Sequence, residues 1–146
     1  MTLRANCTAV AIEGRAILVE GPAGSGKSSL ALALIDRGAT LIGDDGIALE
    51  IVKGLLVAGP PPATRGKLEI RNLGIVEMEC TAAPVAILLR LNDDAPRFVD
   101  RPEWIEIEGI AIPSIRLFPH ACALPLRAEW ALRLYGIDPR RSGTPA

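Results

Sequence analysis

Residues 21–28 of the chain read Gly-Pro-Ala-Gly-Ser-Gly-Lys-Ser, which matches the phosphate-loop pattern Gly-x-x-x-x-Gly-Lys-Ser/Thr in full. The glycines let the backbone fold around an anion without Cβ clashes and turn successive N–H groups inward. A short, mostly apolar run, 15–20, precedes the motif, and good helix formers, 27–37, follow it. We therefore expect a strand, a phosphate-binding loop and a helix whose N-terminus faces a nucleotide.

The predicted nucleotide contacts are the residues of this loop and the beginning of the helix. They are Gly21, Pro22, Ala23, Gly24, Ser25, Gly26, Lys27, Ser28 and Ser29. The ammonium of Lys27 would reach the β- and γ-phosphates, and the hydroxyl of Ser28 would be a ligand of Mg²⁺. The motif thus predicts a nucleotide site that also uses Mg²⁺.

A pair of adjacent carboxylates, Asp44 and Asp45, follows the next predicted strand, 39–43. In proteins with a phosphate loop, one carboxylate at the end of a neighbouring strand holds Mg²⁺. The chain turns where a strand ends, so here both side chains can face one pocket. One carboxylate can then hold the metal while the other takes a proton from an attacking hydroxyl, a role worth about 10²–10⁴-fold in rate. The residues alone leave open which aspartate has which role.

Length, composition and charge predict a compact globular protein. The 146 residues fit one domain, and 49% of them are hydrophobic. The net charge of −1 does not favour nucleic acid or an anionic membrane as a partner. No apolar run reaches the roughly 18–20 residues that span a bilayer, and the N-terminus lacks a signal-peptide pattern. We expect a cytoplasmic protein in which Cys7, Cys80 and Cys122 are reduced and mostly buried thiols.

Secondary-structure signals predict an α/β fold with a mixed β-sheet, a helix after the phosphate loop and a C-terminal helix. The strand at 15–20, the helix at 27–37 and the strand at 39–43 form a βαβ unit. A strand is predicted at 8–12, followed by a turn at Glu13-Gly14, and a hairpin at 47–58 with Lys53-Gly54 as its turn. Further strands are predicted within 66–79 around residues 72–74 and at 85–91, another hairpin at 106–113, and the last helix at 126–135. Residues 138–146 are predicted to be a frayed tail of this single domain, 1–146.

Two segments together resemble the bacterial HPr kinase/phosphorylase family. Residues 21–49, GPAGSGKSSLALALIDRGATLIGDDGIAL, resemble that family's phosphate loop, helix and Asp-Asp strand. Residues 67–75, KLEIRNLGI, resemble its second signature, Glu-Ile-Arg-Gly-Leu-Gly-Ile. The resemblance extends from about Ala5 to Arg101 and implies a short form that consists of the catalytic domain alone.

The resemblance implies a fold related to that of the nucleotide-dependent carboxykinases. It also implies an enzymatic activity, the transfer of phosphate to a protein. The implied enzyme uses ATP and Mg²⁺ to phosphorylate a serine of HPr, a small phosphocarrier protein, and so regulates carbon metabolism or the phosphotransferase system. Members of the family can also reverse this reaction by phosphorolysis. Because several of them form hexamers, the resemblance leaves a homo-oligomer open.

The resemblance also implies roles for single residues. The implied metal contacts are Ser28, Asp45 and Glu69. The implied catalytic residues are Asp44, as the base toward the acceptor serine, and Lys27 and Arg101. Arg101 aligns with an arginine that binds phosphate in the family.

Two alternatives to a protein kinase stay open. Asn6 stands where the family usually has His, and Ser29 where Glu is frequent, which is compatible with a nucleotide-sensing module that has lost phosphotransfer. The other alternative is a phosphate-loop kinase for a small hydroxylated metabolite. Such an enzyme would need an arginine-rich lid, and residues 95–103 contain only Arg97 and Arg101.

Two further polar groups are interpreted as structural. Asp93 and Asp94 lie in a turn flanked by proline, which predicts a solvated turn. His120 is the only histidine, and it is interpreted as loop packing because a lone histidine with a cysteine two residues away is a poor metal site.

Overall fold

The computed structural model of this chain describes residues 1–139, which contain eleven strands and two α-helices. The elements are β1 (Thr2–Ala5), β2 (Cys7–Ile12), β3 (Arg15–Glu20), α1 (Lys27–Asp36), β4 (Thr40–Gly43), β5 (Gly46–Val52), β6 (Leu55–Gly59), a 3₁₀ turn (Pro62–Thr64), β7 (Lys67–Ile70), β8 (Gly74–Glu77), β9 (Ala83–Leu91), β10 (Glu103–Ile107), β11 (Ile110–Leu117) and α2 (Leu124–Tyr135). Residues 140–146 of the predicted tail lie outside the described part. Neither helix described is long and apolar enough to cross a membrane.

Nine of the described strands form one mixed sheet with β9 at its centre. The order is β1-β5-β6-β9-β3-β2-β4, and β11 pairs with β9 and carries β10 on its other side. The edge of β9 that faces away from β3 pairs with two different strands along its length. Its start, Ala83–Pro84, pairs with β6, and its end, residues 88–91, pairs with β11. The predicted α/β class with a mixed sheet and a C-terminal helix is therefore confirmed.

The strands that matter for function end on the same edge of the sheet. β3 is parallel to β9, and β9 is parallel to β11. β2 is antiparallel to both β3 and β4, so β4 also runs in the direction of β3. The predicted βαβ unit thus exists, with β2 inserted between its two parallel strands. Carboxyl ends of parallel strands form the crevice in which α/β proteins bind ligands.

Apolar side chains are buried on both faces of the sheet. Ile17 and Val19 of β3 pack in a cluster with the helices, and this cluster includes Leu34 of α1. Leu18, which points to the opposite face, packs in a second cluster with residues of β5, β6 and β10. Burial on both faces explains why β3 is a continuous apolar run in the sequence.

Three hairpins close with the same kind of two-residue turn. The turns are Glu13-Gly14, Lys53-Gly54 and Glu108-Gly109, and both residues of each have positive φ, between 50° and 79°. This backbone matches the right-handed twist of the flanking strands, and glycine at the second position tolerates it without strain. The predicted hairpins around the first two turns are confirmed.

One strand and the start of one helix differ from the sequence prediction for identifiable reasons. β1 was not predicted, because four exposed or half-exposed residues carry no clear alternation, and it exists as an edge strand paired with β5. α2 begins at Leu124, two residues earlier than predicted, with Pro125 in its first turn. Proline fits there because the first helical N–H groups have no intrahelical partner.

The thiols are predicted to differ in reactivity. All three cysteines are free, but only Cys7 is buried; Cys80 is half-buried and Cys122 is exposed, so the prediction of mostly buried thiols is wrong. Burial raises the pKa of the Cys7 thiol to about 12. In the folded protein at pH 8, Ellman's reagent is expected to react with Cys122 at once and with Cys7 on the order of a thousandfold more slowly. Three equal rates without denaturant would contradict this, and Cys7→Ser identifies the slow thiol.

Candidate active site

The phosphate loop connects the end of β3 at Glu20 to the start of α1 at Lys27. Gly24 and Gly26 have φ of 79° and 98°, in the left-handed region that glycine adopts readily. Gly26 is the N-cap of α1 and has no side chain with which to cap the helix. The N–H groups of the first helical turn, which have no intrahelical partners, therefore point out of the helix toward the loop, as an anion site requires.

Tight packing at the base of the loop explains the first glycine of the motif. A Cβ at Gly21 would lie 2.7 Å from Oγ of Ser25 and 3.0 Å from Cβ of Leu91. Any side chain at this position would push the loop away from the sheet. Oγ of Ser25 is itself inaccessible to solvent and has no hydrogen-bond partner among the described residues. The loop thus has a closely packed floor that includes one unpaired hydroxyl.

Lys27 lies across the mouth of the loop. Its Nζ donates a hydrogen bond to the carbonyl oxygen of Gly21 at 2.8 Å and a longer one to that of Pro22 at 3.4 Å. An ammonium group has three N–H donors, so the side chain can keep contact with the loop and still donate to a phosphate oxygen. This location fits the predicted role of Lys27 beside the phosphates.

Asp44 is held at the N-terminus of α1 by three hydrogen bonds. The hydroxyl of Ser28 donates to its Oδ1 at 2.6 Å, and the hydroxyl of Thr8 donates to the same atom at 3.1 Å. The N–H of Glu69 donates to its Oδ2 at 3.1 Å. The carboxylate therefore connects α1, β2 and β7 at one point.

Asp45 has a different environment, although it is the next residue. Its side chain is exposed, and its carboxylate has no hydrogen-bond partner within residues 1–139. Its φ of 58° is in the left-handed region, so the chain turns sharply at this residue. The turn is tight: a Cβ at Gly43 would lie 2.5 Å from the carbonyl oxygen of Gly46. The turn keeps both carboxylates on the same side of the sheet edge.

The carboxylates and the phosphate loop line one cleft of about 250 Å³, which we call the carboxylate cleft. Its lining residues are Thr8, Ala23, Gly24, Gly26, Lys27, Ser28, Ser29, Asp44, Asp45, Glu69 and Arg71. Glu69 and Arg71 belong to the β7–β8 hairpin, a separate two-stranded sheet that is anchored by the buried side chain of Leu68. Both sequence signatures therefore meet in one place.

Four predicted site residues do not line the carboxylate cleft. Gly21, Pro22 and Ser25 form the base and the far side of the loop. Arg101 lines a different cleft, together with Asp100, Glu103 and Arg116. The role of Arg101 at phosphate therefore stays a prediction.

The sequence analysis missed Thr8. This side chain is fully buried on β2; its hydroxyl donates to Asp44 and accepts the N–H of Asp45 at 3.2 Å. One hydroxyl thus positions both carboxylates of the pair. The only sequence signal was a polar residue within the otherwise apolar run of β2, and nothing in the sequence connected it with residues 44 and 45.

The oxygen donors of the carboxylate cleft suit Mg²⁺. Mg²⁺ prefers oxygen ligands and is bound in phosphate-transfer sites by one or two carboxylates together with substrate phosphates and water. Ser28, Asp44, Asp45 and Glu69 offer this kind of donor beside the phosphate loop. Within residues 1–139, no three His, Cys, Asp or Glu side chains are grouped as a metal cage.

The fold and this cleft define an α/β protein with a glycine-rich loop that faces paired carboxylates. The family model for the HPr Serine kinase C-terminal domain matches residues 2–83. The chain therefore belongs to the HPr serine kinase C-terminal-domain family.

Individual relatives agree with this assignment. An HPr kinase/phosphorylase of Clostridium tetani is 42% identical over 69 residues, which cover 47% of this chain and 23% of the relative. The HPr kinase/phosphorylase of Clostridium perfringens is 35% identical over 121 residues, which cover 74% of this chain and 39% of the relative. The solved structure of the HPr(Ser) kinase/phosphatase from Coxiella burnetii is 28% identical, with a TM-score of 0.81 and coverage of 91% of this chain and 89% of that chain. The chain spans less than half the length of the two clostridial relatives.

Thr8 is predicted to be coupled energetically to Asp44. Thr8→Val keeps the shape of the side chain and removes the hydroxyl, so the free energy of unfolding in urea should fall by about 1–3 kcal/mol. In a double-mutant cycle with Asp44→Ala, the coupling should be at least about 0.5 kcal/mol. Thr8→Ser keeps the hydroxyl and should retain most of the coupling. A coupling of zero would mean that the hydroxyl does not hold the carboxylate.

Proposed function

We propose that this protein is a Mg²⁺-ATP-dependent protein serine kinase that acts on the phosphocarrier protein HPr. The observation that carries the proposal is the 2.6 Å contact between Ser28 and Asp44, which joins the phosphate loop to the carboxylate pair in a chain of the HPr serine kinase family. The reverse reaction, phosphorolysis, is left open. Residues 1–146 would form the single catalytic domain of this kinase, either as a monomer or as a homo-oligomer.

The phosphate loop would bind the β- and γ-phosphates of ATP. The N–H groups at the start of α1 and the ammonium of Lys27 supply hydrogen bonds and positive charge to the phosphate oxygens. These donors are already oriented, so the site needs little rearrangement to stabilise charge on a transferring phosphoryl group. Mg²⁺, when bound, supplies further positive charge at those oxygens.

The hydrogen bonds favour a division of roles opposite to the one that the resemblance implies. Asp44 bonds to the hydroxyl of Ser28, the predicted metal ligand, and its oxygens accept three hydrogen bonds. We therefore assign Asp44, with Ser28 and Glu69, to the metal side of the cleft. Asp45, with an exposed carboxylate that lacks a partner in the described chain, is assigned as the base.

As the base, Asp45 would accept the proton of the acceptor serine hydroxyl while the oxygen of that serine attacks the γ-phosphorus. A carboxylate whose oxygens already accept several hydrogen bonds is a poorer proton acceptor than one whose oxygens are free. The buried hydroxyl of Thr8 fixes the backbone N–H of Asp45, so the free carboxylate is carried on a fixed backbone.

The β7–β8 hairpin supports a protein as the acceptor. Its residues Glu69 and Arg71 line the carboxylate cleft, while Leu73 and Ile75 are 80% and 67% exposed. Large apolar side chains exposed beside a catalytic cleft are typical of a surface that contacts another protein. A small metabolite would not reach them.

The two aspartates can be separated by isosteric substitutions. With Mg²⁺-ATP and HPr as substrates, Asp45→Asn is expected to slow phosphotransfer by about 10²–10⁴-fold and to leave ATP affinity nearly unchanged, because it removes a proton acceptor. Asp44→Asn is expected to weaken the Mg²⁺-dependent part of ATP binding. Titration calorimetry with and without Mg²⁺, together with mass-spectrometric location of phosphoserine, measures both effects.

The outcomes distinguish the possible functions. If Asp44→Asn abolishes transfer with intact Mg²⁺-dependent binding and Asp45→Asn weakens that binding, the roles are those that the resemblance implies. ATP binding without transfer to any acceptor would identify a nucleotide-sensing module. Turnover of a hydroxylated metabolite but not of HPr would identify a metabolite kinase.

The hairpin surface is predicted to determine affinity for the acceptor protein. Replacing Leu73 and Ile75 by serine should raise KM for HPr by about tenfold, because removing the apolar surface of two large side chains from an interface costs on the order of 1–2 kcal/mol. ATP affinity and kcat should stay within about twofold. Replacing the exposed Leu3 of β1 by serine removes a similar side chain outside the hairpin and is the control. An unchanged KM would exclude the hairpin as the docking surface.

A further inference from the structure

Four of the five aromatic rings of the chain lie at one surface groove. The chain has two Phe, two Trp and one Tyr. The groove has a volume of about 550 Å³ and lies between α2 and residues 95–99, which follow β9. We call it the aromatic groove; the rings that line it are Phe98, Phe118, Trp130 and Tyr135. The largest fully buried side chains described are all Leu and Ile, so core packing does not explain where the rings lie.

The apolar side chains on the two walls of the aromatic groove are exposed. Phe98 is 75% exposed, Leu134 64% and Trp130 53%. Trp130 and Leu134 lie four residues apart on α2, so they form one stripe along the helix. Exposed apolar patches mark contact surfaces, and Trp, Tyr and Phe are enriched in the interfaces between proteins. The groove therefore has the composition of a protein-binding surface.

The fold holds the two walls of the aromatic groove in place. Its lining includes Ile115 of β11 and Ala131 of α2, which are both buried. The hydroxyl of Tyr135 donates to the carbonyl oxygen of Val99 at 3.0 Å, which joins the end of α2 to the opposite wall. A partner would thus meet a preformed surface, and little entropy would be lost in ordering it.

The charged residues that line the aromatic groove are positive. They are Arg97, Arg116 and Arg127, and no carboxylate is among the described residues of the lining. Nε of Arg116 lies 3.3 Å from Oε1 of Glu103, whereas Arg97 and Arg127 form no ion pair within residues 1–139. The net charge of the chain is −1, so this positive charge is local. Arginines are the preferred partners of carboxylates at interfaces, so the charge favours an acidic partner.

We propose that the aromatic groove binds an acidic amphipathic helix of a partner protein. Apolar side chains on one face of that helix would pack against Trp130, Leu134 and Phe98, and its carboxylates would pair with Arg97 and Arg127. Helices bind to apolar grooves through side chains that recur every three or four residues. From Arg127 to Leu134, α2 advances by about 10 Å, which matches two or three such side chains of a partner helix.

Other occupants fit the aromatic groove less well. Small-molecule sites bury roughly 70–90% of their ligand, and walls whose apolar side chains are more than half exposed do not enclose one. In a symmetric contact with a second copy of the chain, the same arginines would face each other. Residues 140–146 contain Arg140 and Arg141 and no Asp or Glu, so they are not complementary in charge. The groove shares no lining residue with the carboxylate cleft, so it is separate from the site proposed for phosphate transfer.

Two labelled model peptides test the proposal. The first is a helix-forming peptide of about 15 residues with Leu and Phe on one face and Glu on the other, and the second has Lys in place of Glu. By fluorescence anisotropy at low salt, the full chain should bind the Glu peptide with a Kd on the order of 10 μM and the Lys peptide at least about tenfold more weakly. Added salt should weaken binding of the Glu peptide, because it screens the ion pairs.

Substitutions separate the apolar from the charged contribution. Trp130→Ala should weaken binding of the Glu peptide by about tenfold or more, because tryptophan at the centre of an interface carries much of the binding energy. Trp104→Ala removes the other exposed tryptophan, on β10 and outside the groove, and is the matched control. Arg97→Glu combined with Arg127→Glu should reverse the preference in favour of the Lys peptide, whereas Arg65→Glu, also outside the groove, should not. Circular dichroism confirms that each variant is folded.

Each outcome decides for or against the acidic helix. No binding of the Glu peptide at about 1 mM, equal affinity for both peptides, or the same loss in Trp104→Ala as in Trp130→Ala would overturn the proposal. A dimer in sedimentation velocity that Trp130→Ala converts to a monomer would identify a second copy as the occupant and would also overturn it. Phosphotransfer to HPr should be unchanged in Trp130→Ala, and a raised KM would make HPr the occupant instead. Peptide binding is measured without nucleotide, so failure of the proposed kinase activity would leave this test intact.

Discussion

The site depends on the hydrogen bond between the hydroxyl of Ser28 and Oδ1 of Asp44. These residues lie on elements that follow two different strands, β3 and β4, which β2 separates. The 2.6 Å contact is possible only if both strands end at the same level of the sheet. The phosphate loop and the carboxylates can act on one phosphate for the same reason. The buried hydroxyl of Thr8 supplies the link from β2, the strand between them.

The division of the aspartate pair follows from local geometry. The residues are chemically identical and adjacent, yet one carboxylate accepts three hydrogen bonds and the other is exposed beside the cleft. The difference originates in the turn at Asp45, where φ becomes positive and the close approach of Gly43 to Gly46 leaves no room for a side chain. A strand that continued straight would have sent the two carboxylates to opposite faces.

The phosphate loop separates two environments of different charge and shape. On one side Lys27, Ser28 and the carboxylates suit phosphate and metal chemistry. On the other side the segments after β9 and β11 form a wider cleft without a cation at the loop.

The sequence by itself determined the phosphate loop, the helix after it, the strands around it and the family, because each depends on local pattern: a glycine-rich motif, buried apolar runs and X-Gly turns. It did not reveal Thr8, the insertion of β2 between β3 and β4, or the location of Arg101. These features join residues far apart in the chain, and only the order of strands in the sheet decides which strand ends become neighbours.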